Sequence, residues 1–349
     1  MLTSSHRSLI AVCVLALTAT AAQAQTTAPG GPLTVRPTAA DTGAAQRATV
    51  QYRKLWTGAK PGARAYDIDA HPSVTAGSSS GGRAQIRFPG DLSYQGGAVI
   101  TNNVAHAIYL LPDDRTCPTT AACWGNPEKF LADLGKSGFI HVTDQYVGTA
   151  AFNRYTVGQA AHVPYHRPAN PFTDLDMQAV IHAVVTHAKS VQTGYGNMYH
   201  VFLPPGQDEC FDSSFTVCAS NIFCAYHSSA DFPDIGHVVY SVEPYGNVFG
   251  CQSSPNGPNG QLADSTNSIL SHETIETITD PDGTGWWNTE NGGMFGEEIG
   301  DECVFLTFDS NGNFLYFDDD FVSLNGAPYL IQPEYNNRAH ACTAGVVSD

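Results

Sequence analysis

Apolar residues recur along this chain with two different spacings, and each spacing predicts one type of secondary structure. Short apolar runs bounded by Gly, Pro, Asn or other polar residues are typical of strands. Four such runs predict strands at 97–101, 107–111, 198–203 and 237–242.

Two longer segments repeat apolar residues at the spacing of a helix. The first, at 173–190, has an acidic start and then carries Met177, Ile181 and Val184 at this spacing. The second spans 264–279 and is stopped by Pro281. Since strands and helices are interspersed, we expect an α/β or α+β fold in which helices pack on a mixed sheet.

A hairpin is predicted at 304–321, with its turn at Asn311 and Gly312. The turn sequence DSNGN also resembles the start of a calcium-binding loop. Phe314, however, occupies the sixth position, where such a loop needs glycine. The hairpin turn is therefore the better explanation.

The N-terminus has the features of a cleavable export signal. Arg7 precedes an apolar run that leads to Gln23 and Ala24, so residues 1–24 are predicted to be removed and the protein to be secreted, extracellular or periplasmic. No later run approaches about 18 apolar residues, so an integral membrane protein is not expected.

The rest of the chain is predicted to be one folded unit with a loose start. Residues 25–50 are rich in Thr, Ala, Pro and Gly, and they predict a disordered tail or a short propeptide. Residues 51–349 are enough for a single globular domain.

Removal of the signal would leave eight of the nine cysteines: Cys117, Cys123, Cys210, Cys218, Cys224, Cys251, Cys303 and Cys342. An even number in an oxidising compartment predicts disulfides. Closeness along the chain favours the pairs Cys117–Cys123, Cys210–Cys218, Cys224–Cys251 and Cys303–Cys342. A four-cysteine zinc cluster is the alternative, but no two cysteines have the CxxC spacing that such clusters favour.

The charge of the chain narrows the choice of partners. It has 33 Asp and Glu against 16 Lys and Arg, a formal net charge of -17, and no basic run. Nucleic acid is not an expected partner, because phosphate binding needs clustered Lys and Arg. An acidic chain does suit a cation-binding site.

The strongest candidate chemistry lies in SHETIETITDP, within the second predicted helix. This segment begins like the HExxH helix of zinc proteases but has Glu276 in place of the second histidine. His272 and Glu276 would lie one turn apart on the same side of the helix, where both can bind one ion. Glu273 would then be the general base, beside the ion but not bound to it.

A third ligand is expected from the acidic segment GEEIGDEC, because a catalytic zinc needs three protein ligands and an open position. Glu298 is the first candidate, and Glu297 and Asp301 are alternatives that could instead orient His272. His227, in CAYHS, could assist near the metal or could be a histidine held between disulfides. Zinc is the expected ion, although a ligand set rich in carboxylates also admits harder cations such as calcium.

A solvated acidic helix is the competing interpretation of HETIE, because such short strings also occur by chance. Ile275 and Ile278 lie beside the pair and predict a half-buried helix instead. Buried carboxylates need a partner, and a metal ion provides one.

Several motifs occur in the order found in EXORDIUM-like proteins, also called phosphate-induced proteins. They are YQGG from Tyr94, FCAYHSS, VVYSVEP, SHETIETITDP, the pair Trp286 and Trp287, EEIGDEC, and IQPEYNNRAHAC around Tyr335. From about residue 94 onward the chain resembles this secreted family, which is known from plant cell walls and found in bacteria. The resemblance implies a secreted protein with a zincin-like helix. The expected partner is a peptide or a cell-wall component. The insertion CQSSPNGPNGQ before the helix departs from the plant pattern.

Two functions are compatible with these features. The first is a secreted metal-dependent hydrolase, specifically a zinc metallopeptidase in which His272, Glu276 and Glu298 bind the ion and Glu273 activates water. The second is a non-enzymatic extracellular or cell-wall-associated binding protein with a structural metal or acidic cluster. A catalytic ion needs an open position and a cleft, whereas a structural ion is closed by four ligands.

Export and cysteine pairing can be tested together on the secreted protein. Mass spectrometry without reductant should find a start near Gln25 and a mass lower by about two protons for each disulfide. The same sample after reduction is the control, and it should show eight alkylatable thiols. Free thiols at four or more positions before reduction would contradict the predicted disulfides.

Overall fold

A mixed β-sheet forms the centre of this computed structural model, which describes residues 31–60, 83–85, 91–187, 193–289 and 298–344. The predicted signal at 1–24 lies outside these ranges. Within them the strands are β1 Leu33–Thr34, β2 Thr49–Trp56, β3 Arg83–Gln85, β4 Ser93–Tyr94, β5 Asn103–Pro112, β6 Tyr155–Val157, β7 Ala161–Tyr165, β8 Phe172–Thr173, β9 Asn197–Phe202, β10 Glu209–Cys210, β11 Ala225–Phe232, β12 Gly236–Glu243, β13 Trp286–Trp287, β14 Phe305–Phe308, β15 Phe314–Phe317, β16 Asp320–Leu324, β17 Ala327–Ile331, β18 Glu334–Asn336 and β19 Ala341–Thr343.

Six α-helices are found in the described ranges, and two of them are long. They are α1 Ala39–Ala45, α2 Thr120–Trp124, α3 Pro127–Leu134, α4 Asp144–Val147, α5 Asp174–His187 and α6 Gln261–Thr279. Short 3-10 helices occur at Phe139–Thr143 and Asp301–Cys303. Both helices predicted from the spacing of apolar residues are present, as α5 and α6.

The main sheet has eight strands in the order β1-β7-β5-β9-β12-β11-β2, with β6 paired to β5 outside this path. Neighbouring strands from β1 to β12 are parallel, whereas β11 runs antiparallel to both β12 and β2. The predicted fold class, a mixed sheet with packed helices, is therefore confirmed.

The two long helices pack on opposite faces of this sheet, which separates two cores. In β9, Tyr199 and Val201 face the core that contains Ile181 of α5, whereas Met198 faces the core that contains Ile275 of α6. Side chains alternate between the faces of a strand, so each central strand contributes to both cores. The result is a three-layer arrangement with α1 beside α5.

One of the four predicted strands is wrong. Residues 97–101 form no strand, while 107–111, 198–203 and 237–242 fall in β5, β9 and β12. The backbone N–H of Gly97 instead donates to the carbonyl of Thr284 at 2.6 Å, and that of Ile100 to the carbonyl of Ile278 at 2.8 Å. These backbone groups therefore form hydrogen bonds with the end of α6 and the turn after it, and not with a neighbouring strand.

The predicted disordered tail is also wrong for residues 31–50, which form β1, α1 and the start of β2. Thr38 donates to the carboxylate of Asp41 from its backbone and from its hydroxyl, which caps α1. Asp41 also lies 2.8 Å from Nδ1 of His182 on α5, 141 residues away. This long-range contact gives a segment of unremarkable composition a fixed position.

The hairpin and the disulfides agree with the sequence-based predictions. β14 and β15 pair antiparallel, and Asp309 accepts hydrogen bonds at 2.8 Å from the backbone of Asn311 and Asn313. The four disulfides are Cys117–Cys123, Cys210–Cys218, Cys224–Cys251 and Cys303–Cys342, as predicted.

None of the helices in the described ranges has the length and apolar character needed to cross a membrane.

His237 at the start of β12 connects this strand to the segment after α6. Its Nδ1 lies 2.8 Å from Asp231, and its Nε2 lies 3.3 Å from Asp282. The carboxylates of Asp282 and Asp231 beside the ring raise the pKa of His237 despite its burial. A histidine whose pKa is raised by folding stabilises the folded protein fully at pH values below its pKa in the unfolded state. This stabilisation is lost as the pH rises through the pKa of the folded state.

We therefore predict that His237→Gln lowers the melting temperature more at about pH 5.5 than at about pH 8.5, because only protonated His237 attracts both carboxylates. Thermal unfolding of both proteins at the two pH values measures this. Asp231→Asn combined with Asp282→Asn should remove the same pH dependence. A difference between wild type and His237→Gln that is constant with pH would contradict the proposed ion pairs.

Candidate metal centre

The HETIE segment lies in the buried part of α6. The helix contacts β11 and β12 of the main sheet on one side, and β17 and α3 on the other. Because both sides are covered, every residue of α6 from 264 to 279 is buried, and His272 and Glu276 are 0% exposed. This excludes the solvated acidic helix as an explanation.

Two groups of potential ligand atoms meet at Glu276. His272, Glu276 and Asp301 form one group, and His227, Glu273 and Glu276 form the other. Within each group the ligand atoms lie within 4.8 Å of one another. Glu276 therefore belongs to both groups.

The first group combines α6 with the acidic segment that follows it. His272 Nε2 lies 3.1 Å from Glu276 Oε1 and 3.9 Å from Asp301 Oδ1. The backbone N–H of Asp301 also donates to Glu276 Oε1, at 3.2 Å. The disulfide from Cys303 to Cys342 connects this acidic segment to β19 and so restricts its position.

The second group combines α6 with the sheet. His227 is in the middle of β11, and its ring lies on the face that α6 covers. Its Nδ1 lies 3.4 Å from Glu273 Oε2 and 3.6 Å from Glu276 Oε2. Its Nε2 lies 3.6 Å from Glu298 Oε2.

Three residues of β2 complete the surroundings, and sequence reasoning did not find them. Tyr52 donates a hydrogen bond to Glu298 Oε1, and Lys54 Nζ lies 2.9 Å from Asp301 Oδ2. Trp56 stacks on the ring of His272, with ring centroids 4.6 Å apart. Tyr52, Lys54 and Trp56 are buried at every second position of β2, and this alternation is the signal that could have revealed them.

The centre carries excess negative charge when no cation is bound. Four carboxylates, from Glu273, Glu276, Glu298 and Asp301, give -4, and Lys54 gives +1, so the formal sum is -3. Burial raises the pKa of Glu273 well above its usual range, and the nearby Glu243 and Glu276 raise it further.

The histidine on the sheet shows the opposite effect. Burial, with His272 and Lys54 nearby, lowers the pKa of His227 to about 3. His227 is therefore neutral at ordinary pH, which is the form that binds metals.

The polar atoms of this centre fit a metal better than they fit one another. No ring nitrogen of His227 or His272 makes a hydrogen bond of acceptable geometry with the described residues. The same is true of both carboxylate oxygens of Glu273. With ligand bonds of about 2.1 Å, a tetrahedral zinc site separates its ligand atoms by about 3.4 Å. The separations between a histidine nitrogen and a carboxylate oxygen within the two groups are 3.1 to 3.9 Å, which lie around this value.

The structure brings together most of the residues predicted from the sequence, but the third candidate ligand beside His272 and Glu276 is Asp301 and not Glu298. His272, Glu273, Glu276 and His227 converge, and Asp301, an alternative in the sequence, is the carboxylate grouped with His272. Glu298, the first candidate for third ligand, instead lies beside His227. Glu297 lies outside the described residues.

A further group of Asp208, Cys210 and Cys218 has the spacing of a metal site. Its two sulfur atoms form a disulfide, so they have no thiolate to offer.

Comparison with protein-family models, curated proteins and solved structures gave no match for this chain. The EXORDIUM-like resemblance and the zincin-like character of α6 therefore stay predictions.

Gly300 offers a clean test of this geometry. A Cβ atom there would lie 2.5 Å from His272 Nδ1 and 3.1 Å from Glu276 Oε1, although its φ of -78° suits any residue. We predict that Gly300→Ala displaces His272 and weakens metal binding at least about tenfold, in line with the loss caused by disturbing the surroundings of metal ligands.

Zinc titration of the chelator-treated protein measures this effect. Gly138→Ala is the matched control, because its φ of -64° is also ordinary and a Cβ there would meet nothing within 4 Å. Equal zinc affinity in the two variants would contradict a site beside Gly300.

Proposed function

We propose that this chain is an exported, metal-dependent hydrolase that cleaves peptide bonds. The observation that carries the proposal is the convergence of two histidines and three carboxylates, fully or almost fully buried, around Glu276. The histidines are His227 and His272, and the other carboxylates are Glu273 and Asp301. In the sequence, the same helix carries the order of ligand and base that is typical of metallopeptidases.

His272 Nε2, Glu276 Oε1 and Asp301 Oδ1 are the atoms that would hold the cation. Imidazole nitrogen and carboxylate oxygen are ordinary zinc ligands. When bound, a divalent cation would polarise a carbonyl group and lower the pKa of a water molecule. Lys54 holds the other oxygen of Asp301, so that carboxylate is oriented with Oδ1 toward His272.

Glu273 is the second necessary group in this proposal. Both of its oxygens are buried without a hydrogen bond, and it lies one residue after His272 on α6. A carboxylate in this position can accept a proton from water or bind a cation. Either role makes Glu273 essential for hydrolysis.

Export is supported by the four disulfides, which are typical of proteins from oxidising compartments. An acidic chain without a basic run leaves peptides or wall components as better partners than nucleic acid.

One observation favours a second function, in which the cation is structural and the protein acts by binding. His227, His272, Glu273 and Glu276 are 0% exposed, and Asp301 is 8% exposed. Hydrolysis requires a movement that opens this centre to a peptide, whereas a structural cation requires none. In this second function the bound cation adds to the free energy of unfolding without supporting a reaction.

We predict that the purified mature protein cleaves members of a peptide library, and that a chelator abolishes this activity until zinc is restored. Glu273→Gln should lower the cleavage rate by a factor on the order of 10² to 10⁴, because an amide can accept no proton and is a poor ligand. Fluorogenic peptide libraries with mass-spectrometric detection of the products measure the rate.

Glu209→Gln is the matched control for this experiment. Glu209 is equally buried and loses the same charge, but it lies near Asp174 and Tyr226, on the other side of the sheet. The Glu209→Gln variant should therefore keep both its bound metal and its peptide-cleaving activity. A melting temperature that falls on chelation, with no chelator-sensitive cleavage of any peptide, would support the structural role and overturn the hydrolase.

A further inference from the structure

The structure also shows how many cations the centre can take. We propose that it binds two divalent cations, bridged by the carboxylate of Glu276. This inference rests on the proposed function for the first cation, held by His272, Glu276 and Asp301. The second cation would be held by His227, Glu273 and Glu276.

The two oxygens of Glu276 face different histidines. Oε1 lies 3.1 Å from Nε2 of His272, and Oε2 lies 3.6 Å from Nδ1 of His227. Both rings are fully buried, and neither makes a hydrogen bond of acceptable geometry with the described residues. A single cation on Oε1 would give Nε2 of His272 a partner but leave Nδ1 of His227 buried without one, which costs free energy.

The second site has its own oriented donors. His227 Nδ1 and Glu273 Oε2 are 3.4 Å apart, close to the separation of about 3.4 Å between ligands of one tetrahedral zinc. On the opposite side of the ring, Nε2 faces Glu298 Oε2 at 3.6 Å, while Tyr52 holds Glu298 through its other oxygen. A carboxylate commonly lies beside the second nitrogen of a ligand histidine, and Glu298 occupies that position here.

The charge of the centre also suits two cations. The formal sum of -3 becomes -1 with one divalent cation, and the buried carboxylates of Glu243 and Glu334 lie close by, so negative charge remains for a second cation. In two-metal hydrolases the cations are about 3.5 to 4 Å apart, and for a peptide bond they would polarise the attacking water and the carbonyl oxygen. Glu273 is then a metal ligand, and not the general base predicted from the sequence.

Metal content separates one cation from two. The chelator-treated wild type is titrated with zinc alone, freed of excess zinc by gel filtration, and analysed for zinc per chain. We expect two zinc ions in the wild type and in Glu209→Gln, and one in Glu273→Gln and in His272→Gln. A general base that is no ligand predicts instead that Glu273→Gln keeps the full zinc content of the wild type.

Manganese provides a second measurement on the wild type, with one variant as its control. Two Mn²⁺ ions bridged by one carboxylate should give a spin-coupled signal in electron paramagnetic resonance, and Glu276→Gln should abolish the coupling. Near-ultraviolet circular dichroism checks that each variant is folded.

The possible failures are distinct. A wild type that saturates at one zinc, with an uncoupled manganese signal, would overturn the second site and leave a one-metal hydrolase intact. Two bound zinc ions without chelator-sensitive peptide cleavage would support the second site and overturn the proposed reaction. A wild type that binds no zinc and no manganese would overturn both.

Discussion

The burial of ionisable groups around Glu276 is the constraint on which the rest of this structure depends. Removing a carboxylate from water costs several kcal/mol unless a counter-charge is close. Here four carboxylates and two histidines share one interior, and Lys54 neutralises only one of the charges. Protons or cations must supply the remainder. The fold is therefore coupled to what the centre binds, since anything that binds only the folded state adds to its stability.

The centre is assembled from four parts of the chain that are far apart in sequence. β2 supplies Tyr52 and Lys54, β11 supplies His227, and α6 supplies its own three ligand candidates. The segment at 298–303 is held by the Cys303–Cys342 disulfide and by a hydrogen bond from the backbone N–H of Tyr335 to the carbonyl of Ile299. A disulfide limits the freedom of the unfolded chain, so it reduces the entropy lost when this acidic segment is ordered.

Both faces of the main sheet pack an apolar core, and the face under α6 also holds the candidate centre. The face under α5 packs large apolar side chains, such as Val201 and Ile181, and burial of this kind is the main source of stability. The face under α6 buries polar groups, including Ser271 and Thr274, whose hydroxyls lack hydrogen-bond partners among the described residues. Such groups cost stability. The apolar cores on both faces therefore stabilise a domain whose α6 layer also holds the polar centre.

The sequence by itself determined the features that depend on neighbours along the chain: α5 and α6, three strands, the hairpin at Asp309, and the four disulfides. Helical spacing also brought His272 and Glu276 together, because residues four apart share a helix side. Tertiary structure alone decided that Asp301 joins His272, that His227 joins Glu273, and that 31–50 is ordered. These contacts cross long separations, such as 246 residues between Tyr52 and Glu298, and no local spacing encodes them. They form because strand pairing in the sheet and burial of α6 on both sides remove these polar groups from water. Their remaining partners are one another or a cation.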